Sequence, residues 1–273
     1  MLHTHYLEEF DRPELEPYRT LRRRKDMARL DQFVVEGEKC VRRLLDSRTP
    51  YAIESLLLTP EWLLKLRAEL EVRPEEIHAY VAGHREIEEF TGFTVYQDLK
   101  VTARLLQPHT LPSVLEQTPH PRLFVACDEL ANAENMGTVI RNTAAFGGQA
   151  LLVGETSTSP LLTRTIRASM GTIFDLPFVY AENLVNALKD LKWQGVRTIG
   201  AHAHPDRKTI GGIDFRGDVC LVFGSEGHGL SPQVQAVCDD LVLIPMAGKV
   251  DSLNVGSSVA VFLYEVARQR RTM

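Results

Sequence analysis

Val219-Cys220-Leu221-Val222-Phe223-Gly224-Ser225-Glu226-Gly227-His228-Gly229-Leu230-Ser231 passes from five apolar residues straight into a loop with three glycines, and Ser231 is followed by Pro232. An apolar run without alternation fits a strand buried on both faces, as in a parallel sheet covered by helices. Ser231 can cap a helix whose first position Pro232 fills, since proline's missing N–H costs nothing there. The glycines let the loop come close to a ligand and take backbone angles closed to other residues. Their order is neither G-x-x-x-x-G-K nor G-x-G-x-x-G, so the loop is not a P-loop or a dinucleotide turn.

Working outward, similar apolar strands are expected at Leu123-Cys127, Ala150-Val153, Thr198-Ala201 and Leu241-Ile244, separated by helical stretches. That alternation predicts an α/β fold with a mostly parallel sheet. Ligands of such sheets sit at the carboxyl ends of strands, which directs attention to the loops after Cys127, Phe223 and Ile244. Upstream, Gln107 to Pro121 carries Pro108, Pro112, Pro119 and Pro121 with no sustained period, and is expected to be a linker. It divides the chain into residues 1–106, the linker 107–121, and residues 122–273. In the first part, Gln32-Phe33-Val34-Val35 reads as a strand, Glu38 to Leu45 as an amphipathic helix, and Ile53 to Leu58 as a strand. Thr59-Pro60-Glu61 then starts a helix, giving a small α/β domain.

The chain has 273 residues, 44% hydrophobic and 25% charged, which suits two globular domains. No apolar run nears the roughly 18 residues that span a bilayer, and Met1 to Phe10 is polar and acidic, so a cytoplasmic protein is expected. Cys40, Cys127, Cys220 and Cys238 stand singly among apolar neighbours and are expected to be buried free thiols, neither zinc ligands nor a redox pair. A net charge of -5 excludes wholesale coating of nucleic acid. Yet Arg19 to Arg48 holds ten Lys or Arg against five acids. Such a basic face suits a phosphate backbone, and a solvated helix face explains it equally well. His202-x-His204 lacks a third ligand at a supporting spacing, so no metal site is expected. His228 is read as a solvated loop histidine.

The three strand-end loops carry specific polar patterns. The first is Asn135-Met136-Gly137-Thr138-Val139-Ile140-Arg141-Asn142-Thr143-Ala144-Ala145-Phe146-Gly147, and the second is the Phe223–Ser231 segment. The third is Ile244-Pro245-Met246-Ala247-Gly248-Lys249-Val250-Asp251-Ser252-Leu253-Asn254-Val255. In order and spacing they resemble the signature motifs of the SpoU (TrmH-like) RNA methyltransferases of the trefoil-knot (SPOUT) superfamily. The resemblance runs from about Leu123 to the C-terminus and includes Arg167-Ala168-Ser169-Met170-Gly171. More loosely, Phe33-Val34-Val35-Glu36-Gly37 and the following helix look like the family's ribosomal-protein-like RNA-binding domain. Ala133-Glu134 stands where many members have proline and glycine, and Gly256 where serine or alanine is commoner.

The resemblance implies a C-terminal segment folded through a trefoil knot, S-adenosylmethionine bound there in a bent shape, and a homodimer. It implies methylation of a ribose 2'-hydroxyl in structured RNA. The separate N-terminal domain favours ribosomal RNA; transfer RNA is the alternative, and a non-catalytic RNA-binding protein of the same fold is another. Carried onto this sequence, the catalytic residues are Asn135, Arg141, Glu226, Ser252 and Asn254. The cofactor-binding residues are Gly200, Ala201, Phe223, Gly224, Glu226, Gly227, Ile244, Met246, Ser252 and Leu253.

The residues themselves qualify these roles. A helix starting near Met136 puts Gly137 and Arg141 on one face, with the guanidinium leaning toward the mouth of the site. Arginine keeps its proton to above pH ~12 and is a poor general base. A phosphate clamp that also stabilises the developing alkoxide is the better reading, with water or a nearby group taking the proton. Asn135 can cap that helix, and it can orient Arg141 or the ribose. Glu226 holds the cofactor or the loop, or is a solvated turn acid. Ile244, Met246 and Leu253 suit an adenine slot, with plain core packing as the other account. Asn254 opens a last helix with a stripe of Val255, Val259, Leu263 and Val266. The small residues Gly256, Ser257, Ser258 and Ala260 allow a second backbone close by, in a knot, a dimer or a tight core.

Overall fold

In the computed structural model, residues 1–20, 32–46, 51–92, 96–203, 207–247 and 252–271 are described. The first elements are β1 (Leu2–Tyr6), α1 (Glu16–Thr20), β2 (Phe33–Glu36), α2 (Glu38–Asp46), β3 (Tyr51–Leu58), α3 (Pro60–Glu71), β4 (Ile77–Val81), α4 (His84–Thr91) and β5 (Leu99–Leu105). Then come α5 (Leu111–Gln117), β6 (Leu123–Cys127), α6 (Ala133–Ala145), β7 (Ala150–Val153), α7 (Thr163–Ala168), β8 (Phe178–Tyr180) and α8 (Leu184–Trp193). The last are β9 (Arg197–Ala201), β10 (Lys208–Thr209), β11 (Val219–Phe223), α9 (Pro232–Val237), β12 (Asp240–Leu243) and α10 (Val255–Arg271). They form two compact units, one of Met1–Pro108 with Leu161–Asp175, the other of His109–Pro160 with Leu176–Met273.

In the second unit seven strands lie in the order β10-β12-β9-β11-β6-β7-β8, and every pairing is parallel. Their apolar runs are buried because helices cover both faces. On one face α8 contributes Leu184, Leu188 and Leu191 and α9 contributes Val234, packed with Phe124, Leu152, Cys220 and Val222. Burying each such leucine favours the fold by roughly 1.5–3 kcal/mol. On the other face α10 lies along α6, and the Phe262 ring meets Phe223 edge-on at 5.5 Å. Parallel pairing sends the loops after β6, β9, β11 and β12 to one edge.

The first unit is a mixed sheet in the order β1-β4-β3-β5-β2, with β1, β4 and β3 parallel and β5 antiparallel to both β3 and β2. Lys100 is buried in it, and its ammonium is met by Glu36 at 3.0 Å and by the Tyr18 carbonyl at 3.2 Å. Tyr18 Oη, Ser55 Oγ and Thr102 Oγ1 form a buried hydroxyl chain. The Leu161–Asp175 segment completes this unit: Thr163 Oγ1 donates to the Val34 carbonyl at 2.9 Å. Its Phe174 packs on Phe33 and Tyr51, at ring distances of 6.2 and 5.2 Å.

Several expectations are corrected. The stretch Gln107–Pro121 is not structureless: Thr110 and Ser113 form a reciprocal capping box that starts α5, and Val114 is buried in the second unit's core. The strand expected at Leu241–Ile244 runs from Asp240 to Leu243. Thr59 does precede α3, with Pro60 at its first position, but its hydroxyl makes no cap hydrogen bond. Cys40, Cys127 and Cys220 are buried, whereas Cys238 is only partly so. Of the basic run, Arg22, Arg23, Arg24, Lys25, Arg29 and Arg48 lie outside the described residues, as do His204 and Gly248 to Asp251 of the third loop.

Candidate active site

The glycine loop after β11 closes on itself. The Ser225 amide donates to the Gly229 carbonyl at 3.0 Å, and the Gly229 amide donates back to Ser225 at 2.9 Å. A Cβ on Gly224 would lie 2.0 Å from the Gly229 carbonyl carbon, so no larger residue fits there. Gly229 has a φ of +68°, in the left-handed region that favours glycine. Glu226, Gly227 and His228 are thereby exposed at the tip. The foot of the loop is fixed as well, since the Ser231 amide donates to the buried Asp128 Oδ2 at 2.7 Å, just past β6. Ser231 Oγ caps α9 by accepting from the Val234 amide at 3.4 Å.

Helix α6 starts at Ala133, not Met136, and its cap is Asn132, whose Oδ1 accepts from the Asn135 amide at 2.8 Å. Asn135, expected as the cap, therefore sits in the first turn with its side chain released for distant partners. Its Nδ2 donates to Glu226 Oε1. Its Oδ1 accepts from Asn254 Nδ2 at 3.0 Å. Asn254 Oδ1 in turn accepts from the Gly256 amide at 2.9 Å, while the Asn254 carbonyl accepts from Ser258 at 2.9 Å and opens α10. One directed chain of hydrogen bonds thus links all three loops and ends on a carboxylate.

Beside this chain lies a cavity of about 520 Å³, within the usual range for small-molecule sites. Of the residues assigned to the cofactor, Ala201, Phe223, Gly224, Glu226, Gly227, Ile244, Met246, Ser252 and Leu253 line it. Gly200 does not: a Cβ there would lie 2.6 Å from Leu230 Cδ1 and 2.8 Å from Leu241 Cδ2, so it faces the core. Among the residues assigned to catalysis, Glu226, Ser252 and Asn254 line the cavity. Asn135 joins it through Glu226 and Asn254 rather than through Arg141. Arg141 is exposed on α6 and is not among the lining residues.

The lining also includes His202, Ala203, Ser225, His228, Val242 and Phe262. The first two follow β9 directly, a position the strand-end rule singles out. Phe262 sits one helical turn beyond Ser258, on the α10 face that carries Val255 and Val259. Burial pushes the Cys127 thiol up to about 12, with Asp128 and Glu226 adding to the effect, so this thiol beside the loops is not a nucleophile near neutral pH. Among the described residues no cluster of three His, Cys, Asp or Glu is placed to hold a metal ion.

The model of the SpoU rRNA methylase family matches residues 122–264, more than half of the chain. The chain belongs to the SpoU rRNA methylase family. A protein of Mycobacterium ulcerans described as an uncharacterized tRNA/rRNA methyltransferase is 39% identical to this SpoU chain over 165 residues, 60% of it and 53% of the relative. The chain spans about half the length of the curated relatives it matches. An AdoMet-bound rRNA methyltransferase from Sinorhizobium meliloti shares the fold, with a TM-score of 0.80 at 24% identity over 97% of this chain and 98% of that one. A solved RNA 2'-O ribose methyltransferase aligns at 25% identity and a TM-score of 0.74, covering 99% of this chain and all of that one.

Proposed function

We propose that the chain transfers a methyl group from S-adenosylmethionine to a ribose 2'-hydroxyl of structured RNA, with ribosomal RNA as the substrate. The observation that carries this reading is the hydrogen-bond chain Gly256–Asn254–Asn135–Glu226 at the edge of the 520 Å³ cavity. It gathers polar residues from three separate loops at one place. The likeness to an RNA 2'-O ribose methyltransferase over nearly the full chain supports the chemistry. The first unit, which resembles an RNA-binding domain, supports the ribosomal substrate. The relatives described for both transfer and ribosomal RNA keep the transfer-RNA reading as the alternative.

The lining suits the donor. Ile244, Met246 and Leu253 offer apolar walls for a purine, the main chain of the glycine loop offers polar edges, and Glu226 is a carboxylate facing a cationic ligand. When bound, the sulfonium supplies an already activated methyl group. The residues of the chain then have to place the sugar oxygen in line near it, a proximity effect worth several kcal/mol. Asn135 and Asn254 restrain Glu226 on the cavity side. Arg141, exposed on α6, presents its guanidinium to an RNA phosphate and the developing alkoxide. The proposal includes a knotted C-terminal segment, a homodimer and a cytoplasmic setting. It is tested by incubating the protein with methyl-labelled donor and total RNA from a strain lacking its gene, then mapping the label. Label on one ribose 2'-oxygen of ribosomal RNA is expected; label on a base, or none, overturns the proposal.

A further inference from the structure

Asn254 reaches Asn135, the donor to Glu226, only if α6 and α10 meet in one register, and that register is set away from the cavity. Asn142 Nδ2, on α6, donates to the Gly256 carbonyl at 2.8 Å, across 114 positions of sequence. The Gly256 amide is held by Asn254 at 2.9 Å, so both polar groups of this residue are committed. Its missing side chain matters too: a Cβ at Gly256 would lie 2.5 Å from Thr138 Cγ2 and 3.1 Å from Thr138 Cβ. Thr138 cannot readily turn aside, because its hydroxyl donates to the Glu134 carbonyl at 2.9 Å, and a β-branched side chain in a helix is stiff at χ1. Asn142, Thr138 and Gly256 do not line the cavity.

We propose that Asn142, Thr138 and Gly256 are positioning residues, which lock the first turn of α10 against α6 and thereby hold Asn254 on Asn135 and Asn135 on Glu226. The kinetic part rests on the methyl-transfer reading above; the geometric part does not. A displaced first turn moves the Asn254 amide away from Asn135 Oδ1, and Glu226 then loses the orientation of its one donor from α6. Misplacement by about 1 Å can cost on the order of 100-fold in rate without a contact to substrate being broken.

The test uses full-length Asn142→Ala, Gly256→Ala, Thr138→Ala and the Thr138→Ala/Gly256→Ala pair. Turnover, donor affinity by calorimetry and the side-chain amide signals of Asn254 in asparagine-labelled spectra are measured on each. Asn142→Ala and Gly256→Ala are expected to lower kcat at least about tenfold and to weaken donor binding by less than they lower kcat. The Asn254 amide signals shift in both. Removing Thr138 Cγ2 relieves the 2.5 Å contact, while Thr138 Cβ at 3.1 Å and Asn254 Oδ1 at 3.2 Å stay close, so the double variant regains part of the kcat and of the Asn254 signals lost in Gly256→Ala. That rescue keeps the test decisive if Asn142→Ala fails to fold. Unmoved Asn254 signals in the single variants, unchanged kcat, or a double variant no better than Gly256→Ala overturns the proposal. If the unaltered protein takes up no donor while the Asn254 signals still shift, the methyl-transfer reading falls and the positioning role stands.

Discussion

Glu226 accepts from Asn135 and Asn135 accepts from Asn254, so a carboxylate and two amides from loops 91 and 119 positions apart act as one group. Each of these residues was legible in the sequence as part of a motif, but their connection was not. A hydrogen bond across that separation leaves no periodic trace. Gly200 stands apart from the cavity lining, because its missing side chain makes room for Leu230 and Leu241. Arg141 is the residue whose role geometry leaves most exposed to test. Because it is solvent-exposed and outside the cavity lining, Arg141→Ala is expected to cut turnover by about 100-fold or more, while donor affinity stays within about twofold. Near-normal turnover in that variant contradicts the assignment.

At the scale of elements, β6, β7 and β11 were readable residue for residue, since a strand buried on both faces is an unbroken apolar run. β5 was not assigned, because its Lys100 and Thr102 look like surface residues until Glu36, Tyr18 and Ser55 arrive from elsewhere in the chain. The far end of α10 is anchored by Arg270, whose guanidinium donates to the carbonyls of Pro121, Arg122, Phe215 and Gly217 at 2.8–3.2 Å. Arg270→Met leaves those carbonyls without their charged donor and is expected to cost about 2 kcal/mol in urea unfolding. A second anchor responds to acid. Burial alone raises the Asp240 pKa, but hydrogen bonds from Lys208 and Arg197 outweigh it and hold the carboxyl below its ordinary value. A depressed carboxylate contributes stability above its unfolded pKa of about 4 and loses it as the pH falls through the folded value. The urea midpoint of the unaltered protein should therefore exceed that of Asp240→Asn by a constant amount from about pH 7 to 5, and the gap should narrow below about pH 4. Equal acid sensitivity in the two proteins contradicts this.

For the whole molecule, the division read from Gln107–Pro121 left out a second exchange of chain between the units. Leu161–Asp175 belongs to the first unit, although it lies between strands of the second. No composition shift marks it, because Ile166, Ile173 and Phe174 are as apolar as any core segment. A piece ending at residue 108 lacks the ring that packs on Phe33 and Tyr51 and the threonine bonded to Val34. That piece is expected to melt without a cooperative transition by circular dichroism, and a peptide of residues 161–175 to restore one; a cooperative transition without the peptide contradicts it. Above all, the proposed methyl transfer requires that the cavity beside Glu226 be the donor's seat. Titration calorimetry of the full chain with S-adenosylmethionine is the most direct check. One donor per chain is expected to bind, and Gly224→Ala, whose Cβ would lie 2.0 Å from the Gly229 carbonyl carbon, to lose that heat. No uptake at millimolar donor, or undiminished binding by Gly224→Ala, contradicts the account.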